Sequence, residues 1–238
     1  MTIQIQLGDI AINIVQKNIK NVHLSVYPPD GQVRISAPLR MDVDTIRVFA
    51  LTKLAWIKKQ QKKLQQQARE TPREYLDRES HYLWGKRYLL ELVEKNTRPE
   101  VKLEHKKILL QVRPTSSEEK KQSILDNWYR EQLKLAIPAL IEKWEPLMGV
   151  TVEKFFVRKM KTKWGSCRPA ANSIRLNTDL IKKPPECLEY VVVHEMVHLL
   201  EASHNARFIA LMDRFMPKWR FFKEELNKLP LRHENSLF

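Results

Sequence analysis

The run Tyr190-Val191-Val192-Val193-His194-Glu195-Met196-Val197-His198-Leu199-Leu200 limits what this chain can be more than any other stretch. His194 and His198 stand four residues apart, so on a helix they project from one face, a turn apart. Two neutral imidazoles so placed can fill two corners of a tetrahedral Zn²⁺ site. Glu195 follows the first of them and falls beside such an ion. There its carboxylate can take a proton from an activated water. The plain alternative is a core helix with two satisfied histidines. That alternative demands hydrogen-bond partners for two His and a Glu buried among valines and leucines.

A catalytic zinc site takes three protein ligands and keeps one position open. His204 is the candidate third ligand. A straight helix would carry it about 240° round from His198. The helix therefore has to end near Glu201-Ala202, with Ser203 able to cap a new one. Glu201 is the rival by angle, but it sits about 10 Å along the axis from His194 and reads as an outer or surface group.

The 238 residues suffice for one or two domains. Lys and Arg number 42 against 28 Asp and Glu, a net charge of +14. Such a surface attracts nucleic acid, phosphorylated small molecules, acidic lipid or acidic protein, unless it is merely well solvated. The start, Met1-Thr2-Ile3-Gln4-Ile5-Gln6-Leu7, alternates and lacks the basic and apolar segments of a signal peptide. No stretch approaches the roughly 20 apolar residues of a membrane span. Cys167 and Cys187 are too few for a disulfide framework. These features lead us to expect a cytoplasmic protein with free thiols and no membrane partner.

Along the chain, residues 1–37 read as hairpin-connected antiparallel strands, with turns at Gly8-Asp9 and Pro28-Pro29-Asp30-Gly31. Asp42 to about Ala68 reads as one long helix capped by Asp42 or Asp44. It carries Arg47, Lys53, Lys58, Lys59, Lys62 and Lys63 and no acid from Thr45 onward. That is a solvated face or an electrostatic arm for nucleic acid. Arg69 to Pro72 reads as a linker, which divides the chain into 1–72 and 73–238. Residues 80–112 again read as strands and hairpins, turning at Gly85-Lys86-Arg87. A helix then starts at Ser116 or Ser117 and runs to about Leu147, with Pro138 able to kink it. Val152 to Val157 reads as a strand, Lys163 to Pro169 as a loop, and Ser173 to Asn177 as a strand. Pro184-Pro185 opens the histidine helix, His204 to Phe215 forms another, and Pro217 starts the last. Residues from Pro230 read as frayed.

Several of these elements together resemble a known family. Lys163-Trp164-Gly165-Ser166-Cys167, the strand Ile174-Arg175-Leu176-Asn177, His194-Glu195-x-x-His198, His204-Asn205 and Phe208 resemble the YgjP-like metal-dependent hydrolases over nearly the whole chain. That family is similar to the zincins, including SprT-like and WLM proteases. The resemblance implies a zincin-like α+β fold with a strand-rich N-terminal extension and the basic helix. It implies His194, His198 and His204 as zinc ligands and Glu195 as catalytic base. Members are described as metallopeptidases and also as pyrophosphatases acting on UTP.

Three functions follow as expectations. The first is a zinc peptidase, with peptide lying along an edge strand, Ser173 to Asn177 being the candidate. Asn177 or the Lys163 to Arg168 loop would then hold the oxyanion. The second is a nucleoside triphosphate pyrophosphatase. Lys154, Arg158, Lys159, Lys161, Lys163, Arg168 and Arg175 favour it, and the lack of a Gly-rich phosphate loop opposes it. The third is a protease recruited to nucleic acid. A closed structural zinc site using Cys167 is the weaker idea, since it leaves Glu195 without a task. Cys167 otherwise reads as a structural thiol, and Tyr190, one turn before His194, as packing or a transition-state donor.

Overall fold

The computed structural model describes residues 2–27, 30–66, 79–160 and 163–228. The described residues fall into two compact units, 2–66 and 79–228. The expected boundary at 72–73, the Arg69 to Pro72 linker, Pro28, Pro29, Lys161 and the segment from Pro230 lie outside the described residues.

In the first unit, strands β1 (Thr2–Leu7), β2 (Ile10–Lys17), β3 (His23–Tyr27) and β4 (Gln32–Pro38) form one sheet in the order β1-β2-β4-β3. The two outer pairs are antiparallel, as the turn signals predict. The central pair β2/β4 is parallel, with Ile12 opposite Val33 and Ile14 opposite Ile35. This corrects the expectation of hairpins throughout. Those four residues are buried on one sheet face, and that shared apolar face fixes the register. Ile46, Ala50 and Ile57 cover them from two helices, α1 (Val43–Thr52) and α2 (Leu54–Gln66).

One long helix was the expectation for this segment; the break falls at Lys53. The Thr52 hydroxyl donates to the Phe49 carbonyl at 2.7 Å. The Lys53 amide turns to the Ala50 carbonyl at 3.1 Å instead of continuing the helical ladder. Asp42 caps α1 through the Thr45 amide at 2.7 Å. On α2, Lys58 pairs with Asp9 at 3.3 Å, while Lys59 and Lys62 are exposed.

The second unit opens with the same pattern. Strands β5 (Ser80–Leu83), β6 (Lys86–Glu94), β7 (Glu100–Glu104) and β8 (Lys107–Val112) order as β5-β6-β8-β7, with a parallel central pair and antiparallel flanks. Even the exit from the second strand matches, Val15-Gln16-Lys17-Asn18 against Val93-Glu94-Lys95-Asn96. A capped helix follows the sheet in both units.

In the second unit that helix is α3 (Glu118–Met148), capped by Ser117. Leu125, Tyr129, Leu133, Ile137, Ile141, Trp144 and Met148 form its buried stripe, at spacings of three and four. Each such side chain contributes on the order of 1.5–3 kcal/mol when fully buried. The helix continues through Pro138, held by that stripe.

The remaining elements carry the site. A three-stranded sheet of β9 (Lys154–Arg158), β10 (Gly165–Arg168) and β11 (Ser173–Asn177) has the order β10-β11-β9. Helices α4 (Pro185–Val197), α5 (Ala206–Phe215) and α6 (Trp219–Lys228) follow. Two expectations are corrected here. Lys163 to Pro169 is not all loop, because Gly165 to Arg168 pairs with β11. Ser173 to Asn177 is the central strand, and β10 is the edge.

The β5–β6 turn sits at Trp84-Gly85, one residue earlier than expected, with φ of 51° and 75°. Both central residues are left-handed, as a tight hairpin requires. The Trp84 amide donates to the Ile181 carbonyl at 2.7 Å. A Cβ on Gly85 would lie 3.1 Å from the Pro184 ring, so the turn abuts the residue before α4. No helix among the described residues is long and apolar enough to cross a membrane.

Candidate metal centre

Helix α4 is apolar on nearly every side, as a central core helix must be. Cys187, Leu188, Val191 to Val193, Met196 and Val197 are all buried. It packs against α3, α5, α6, β10 and β11. Pro185 opens it at the position where proline costs no hydrogen bond. It ends sooner than the sequence suggests, at Val197, with His198 as its C-cap. The Leu199 and Leu200 amides reach back only three residues, to Met196 and Val197. This tighter turn swings the chain off the helix axis. The next helix starts at Ala206, later than expected, and its cap is Asn205 rather than Ser203. Asn205 Oδ1 accepts from the Phe208 amide at 3.0 Å, while the Ser203 amide is occupied by Glu201 Oε1 at 3.2 Å. Asparagine two residues further on gives the turn its room.

That turn brings His204 back. One ring nitrogen from each of His194, His198 and His204 lies within 4.8 Å of the others. His194 Nε2 and His204 Nε2 are 3.0 Å apart. Two nitrogens bound to one tetrahedral zinc at 2.0–2.1 Å would stand about 3.3 Å apart, so the cluster fits such an ion. His198 Nδ1 lies 3.0 Å from the Glu201 carbonyl and donates to it, which leaves Nε2 as the ligating atom. His194 Nδ1 is buried without a hydrogen-bond partner among the described residues. Packing holds that ring instead. Phe208 lies 4.7–5.0 Å from all three imidazole centroids, and Tyr190 lies edge-on to His194 at 5.8 Å.

The protonation states favour a cation. Burial, then the neighbouring His198, His204 and Lys223, push His194 down to about 3. His204 is lowered by burial, His198 and Lys223. Both rings are therefore neutral at pH 7 and can bind a metal without shedding protons. Replacing His204 by Ala is expected to weaken zinc affinity by more than the 10–100-fold typical of losing an outer hydrogen bond. A competitive chelator titration reads this, and unchanged affinity would move the third ligand elsewhere.

Glu195 is only 4 % exposed. Burial pushes its carboxyl up to about 8, with the Lys163 ammonium pulling the other way. It lies beneath β10, and a Cβ on Gly165 would stand 2.5 Å from Glu195 Oε1. The missing side chain at 165 is what makes room for the carboxylate.

The three histidines and Glu195 line a cavity of about 470 Å³ in the second unit. Trp164, Tyr190 and Leu226 supply apolar wall. Among the strands around it, β10 has a free edge. The Asn177 amide donates to the Trp164 carbonyl at 2.9 Å. In an antiparallel ladder bonded pairs alternate, so Gly165 and Cys167 turn their own N–H and C=O groups outward.

Other expected site residues fall differently. Glu201 is not in the metal cluster; its carboxylate takes the Ser203 amide and faces Arg207 at 4.0 Å. Asn177 cannot hold an oxyanion. It is buried, donates to the Met160 and Lys163 carbonyls at 2.8 and 2.9 Å, and accepts from the Met160 and Asp179 amides. It moors the segment leading into β10. Cys167 lines the cavity as a free thiol, pushed up to about 11 by burial and by Glu195, and is no nucleophile at neutral pH. Tyr190 is pushed up to about 12 by burial and by Glu195, so it stays a neutral donor. Of the seven basic residues between 154 and 175, Lys163 alone among those described lines the cavity. Arg175 instead lies over Phe156 at 6.0 Å.

Sequence reasoning put the Lys163 to Arg168 loop at the oxyanion and did not find that Gly165 makes room for Glu195. The signal was present in the period of two. Gly165 and Cys167 share one face of β10, Lys163 lies just before it, and all three bear on Glu195.

Comparison with known proteins gives the lineage. No curated protein sequence matches the chain. The crystal structure of the metallopeptidase zymogen of Pyrococcus abyssi abylysin is similar at 18% identity and a TM-score of 0.36, covering 38% of this chain and 90% of that one. That likeness is too slight to argue from. The family profile described as YgjP-like, metallopeptidase domain, matches residues 20–229, and with that span covered the chain belongs to the YgjP-like family.

Proposed function

We propose that this protein is a zinc-dependent peptidase in which His194, His198 and His204 hold the ion and Glu195 is the general base. The observation that carries the reading is the convergence of three imidazoles beside a buried carboxyl, under the free edge of β10. A zinc ion there supplies Lewis acidity, polarising the scissile carbonyl and lowering the pKa of water. Glu195 takes the proton from the attacking water and hands it to the departing amide nitrogen. The outward main-chain groups of Gly165 and Cys167 pair with an extended substrate, which fixes its line across the site without demanding a side chain. Tyr190, Trp164 and Leu226 give the substrate an apolar wall on one part of the cavity.

A triphosphate reading has less support. It needs several cations converging on the phosphates, and the basic segment spends most of its charge away from the cavity. The deciding experiment loads the protein with zinc and offers it an unstructured protein and a panel of nucleoside triphosphates. Peptide cleavage that stops on chelation and returns with zinc is the expected result. Zinc-dependent release of pyrophosphate without cleavage would sink the peptidase reading.

A second test follows from Glu195 standing near 8 before metal arrives. At pH 7 its carboxyl is mostly protonated, and a dication beside it drives ionisation. Zinc binding at pH 7 should release roughly one proton more from the wild type than from Glu195→Gln. Above pH 8 the carboxyl is already ionised, so the difference should vanish. Calorimetry in buffers of different ionisation enthalpy measures it. Equal release from both proteins would remove Glu195 from the neighbourhood of the ion.

A further inference from the structure

The charge around the cavity is lopsided. Among the described residues Glu195 is the one acidic residue that lines it, and Lys163, two residues before Gly165, lines it too. That spacing keeps Lys163 within about 7 Å of Gly165, before the start of β10. Among the described residues Lys163 makes no ion pair. Lys223 on α6 adds a second cation near the histidines, its ammonium over the Trp219 ring at 5.4 Å. Among the described residues that line the cavity, the only carboxylate is that of Glu195. Lys163 acts on Glu195 only at a distance, and its exposed ammonium, in no direct ion pair, favours an anion brought by the substrate.

The direction of that substrate follows from β10. Antiparallel pairing is the stronger mode, and it is the one β10 already makes with β11. A peptide laid antiparallel on the free edge runs its carboxyl side toward the start of β10, where Lys163 lies. Resting on the peptidase reading, we propose that Lys163 selects peptides carrying a carboxylate about two residues beyond the scissile bond on its C-terminal side. That carboxylate is an Asp or Glu side chain, or the chain terminus where cleavage falls near it.

The test separates recognition from cleavage. Zinc-loaded Glu195→Gln is mixed with fluorescent peptides that differ only in whether Glu, Gln or Lys occupies the C-terminal half, and anisotropy reads the affinity. The Glu peptide is expected to bind about tenfold tighter than the Lys peptide at low salt. Adding Lys163→Gln should erase the ratio and Lys163→Glu should invert it, with zinc content unchanged. A ratio that survives Lys163→Glu, or that responds to Lys223→Gln instead, overturns the assignment. A preference for Glu in the N-terminal half overturns the direction. Tighter binding of a nucleoside triphosphate than of any peptide overturns the substrate class. Cleavage by the wild type then tests the other claim. A Glu peptide that binds as expected but is never cut leaves the recognition standing and removes the peptidase.

Discussion

Glu195→Gln is expected to keep its zinc and lose activity by about 10²–10⁴-fold, the range of a single general base. The substitution keeps the size of the side chain and removes only its ability to hold a proton. Glu195 is not one of the three groups whose nitrogens converge, so the ion's ligands stay in place. The amide also suits the site, since burial already disfavours a charge there. Stability should therefore hold or rise slightly at pH 7. Elemental analysis, a melting curve and turnover on the same sample decide the matter. Metal lost together with activity would make Glu195 a ligand or a structural prop, and turnover retained would remove it from the chemistry.

Gly165→Ala should be nearly as damaging, from a residue with no side chain. The new methyl would meet Glu195 Oε1, Cγ and Cδ at 2.5, 2.8 and 2.9 Å. Something has to move. β10 is tied to β11 along its length, so the carboxylate is the part that yields. Overpacking of this kind costs about 1–3 kcal/mol of stability. A displacement near 1 Å at a reacting group can cost about 100-fold in rate. The expected signature is a fall in kcat of that order, with zinc content and fold kept. A fall in Tm with kcat unchanged would make Gly165 a matter of packing alone.

The parts of the site that were legible in the sequence are those fixed by local geometry. His194, Glu195 and His198 are placed by helical spacing, and a helix apolar on all sides says that it is central. His204 was legible because a third ligand had to come from a chain that turned back. The place of the turn was not, because tertiary packing and the Asn205 cap set it, and either could have acted a residue or two away. β10 was missed because Gly-Ser-Cys has little strand preference of its own; it is a strand because β11 pairs with it. The parallel central pairs were missed for a similar reason. β2 meets β4, and β6 meets β8, through apolar registers between strands far apart in sequence. Local alternation reveals a strand but not its neighbour. The α1–α2 break coincides with a hydrogen bond from the Thr52 hydroxyl to the Phe49 carbonyl, which no periodicity announces.

The repeated four-strand pattern has a consequence for how this protein is made. A strand of one copy carries the pairing instructions of its counterpart, so a chain refolding from denaturant can exchange them and trap a tangled form. During synthesis the first copy leaves the ribosome before the second exists, and it can close its sheet without a competitor. Recovery of activity after dilution from denaturant should therefore fall short of that from fresh translation.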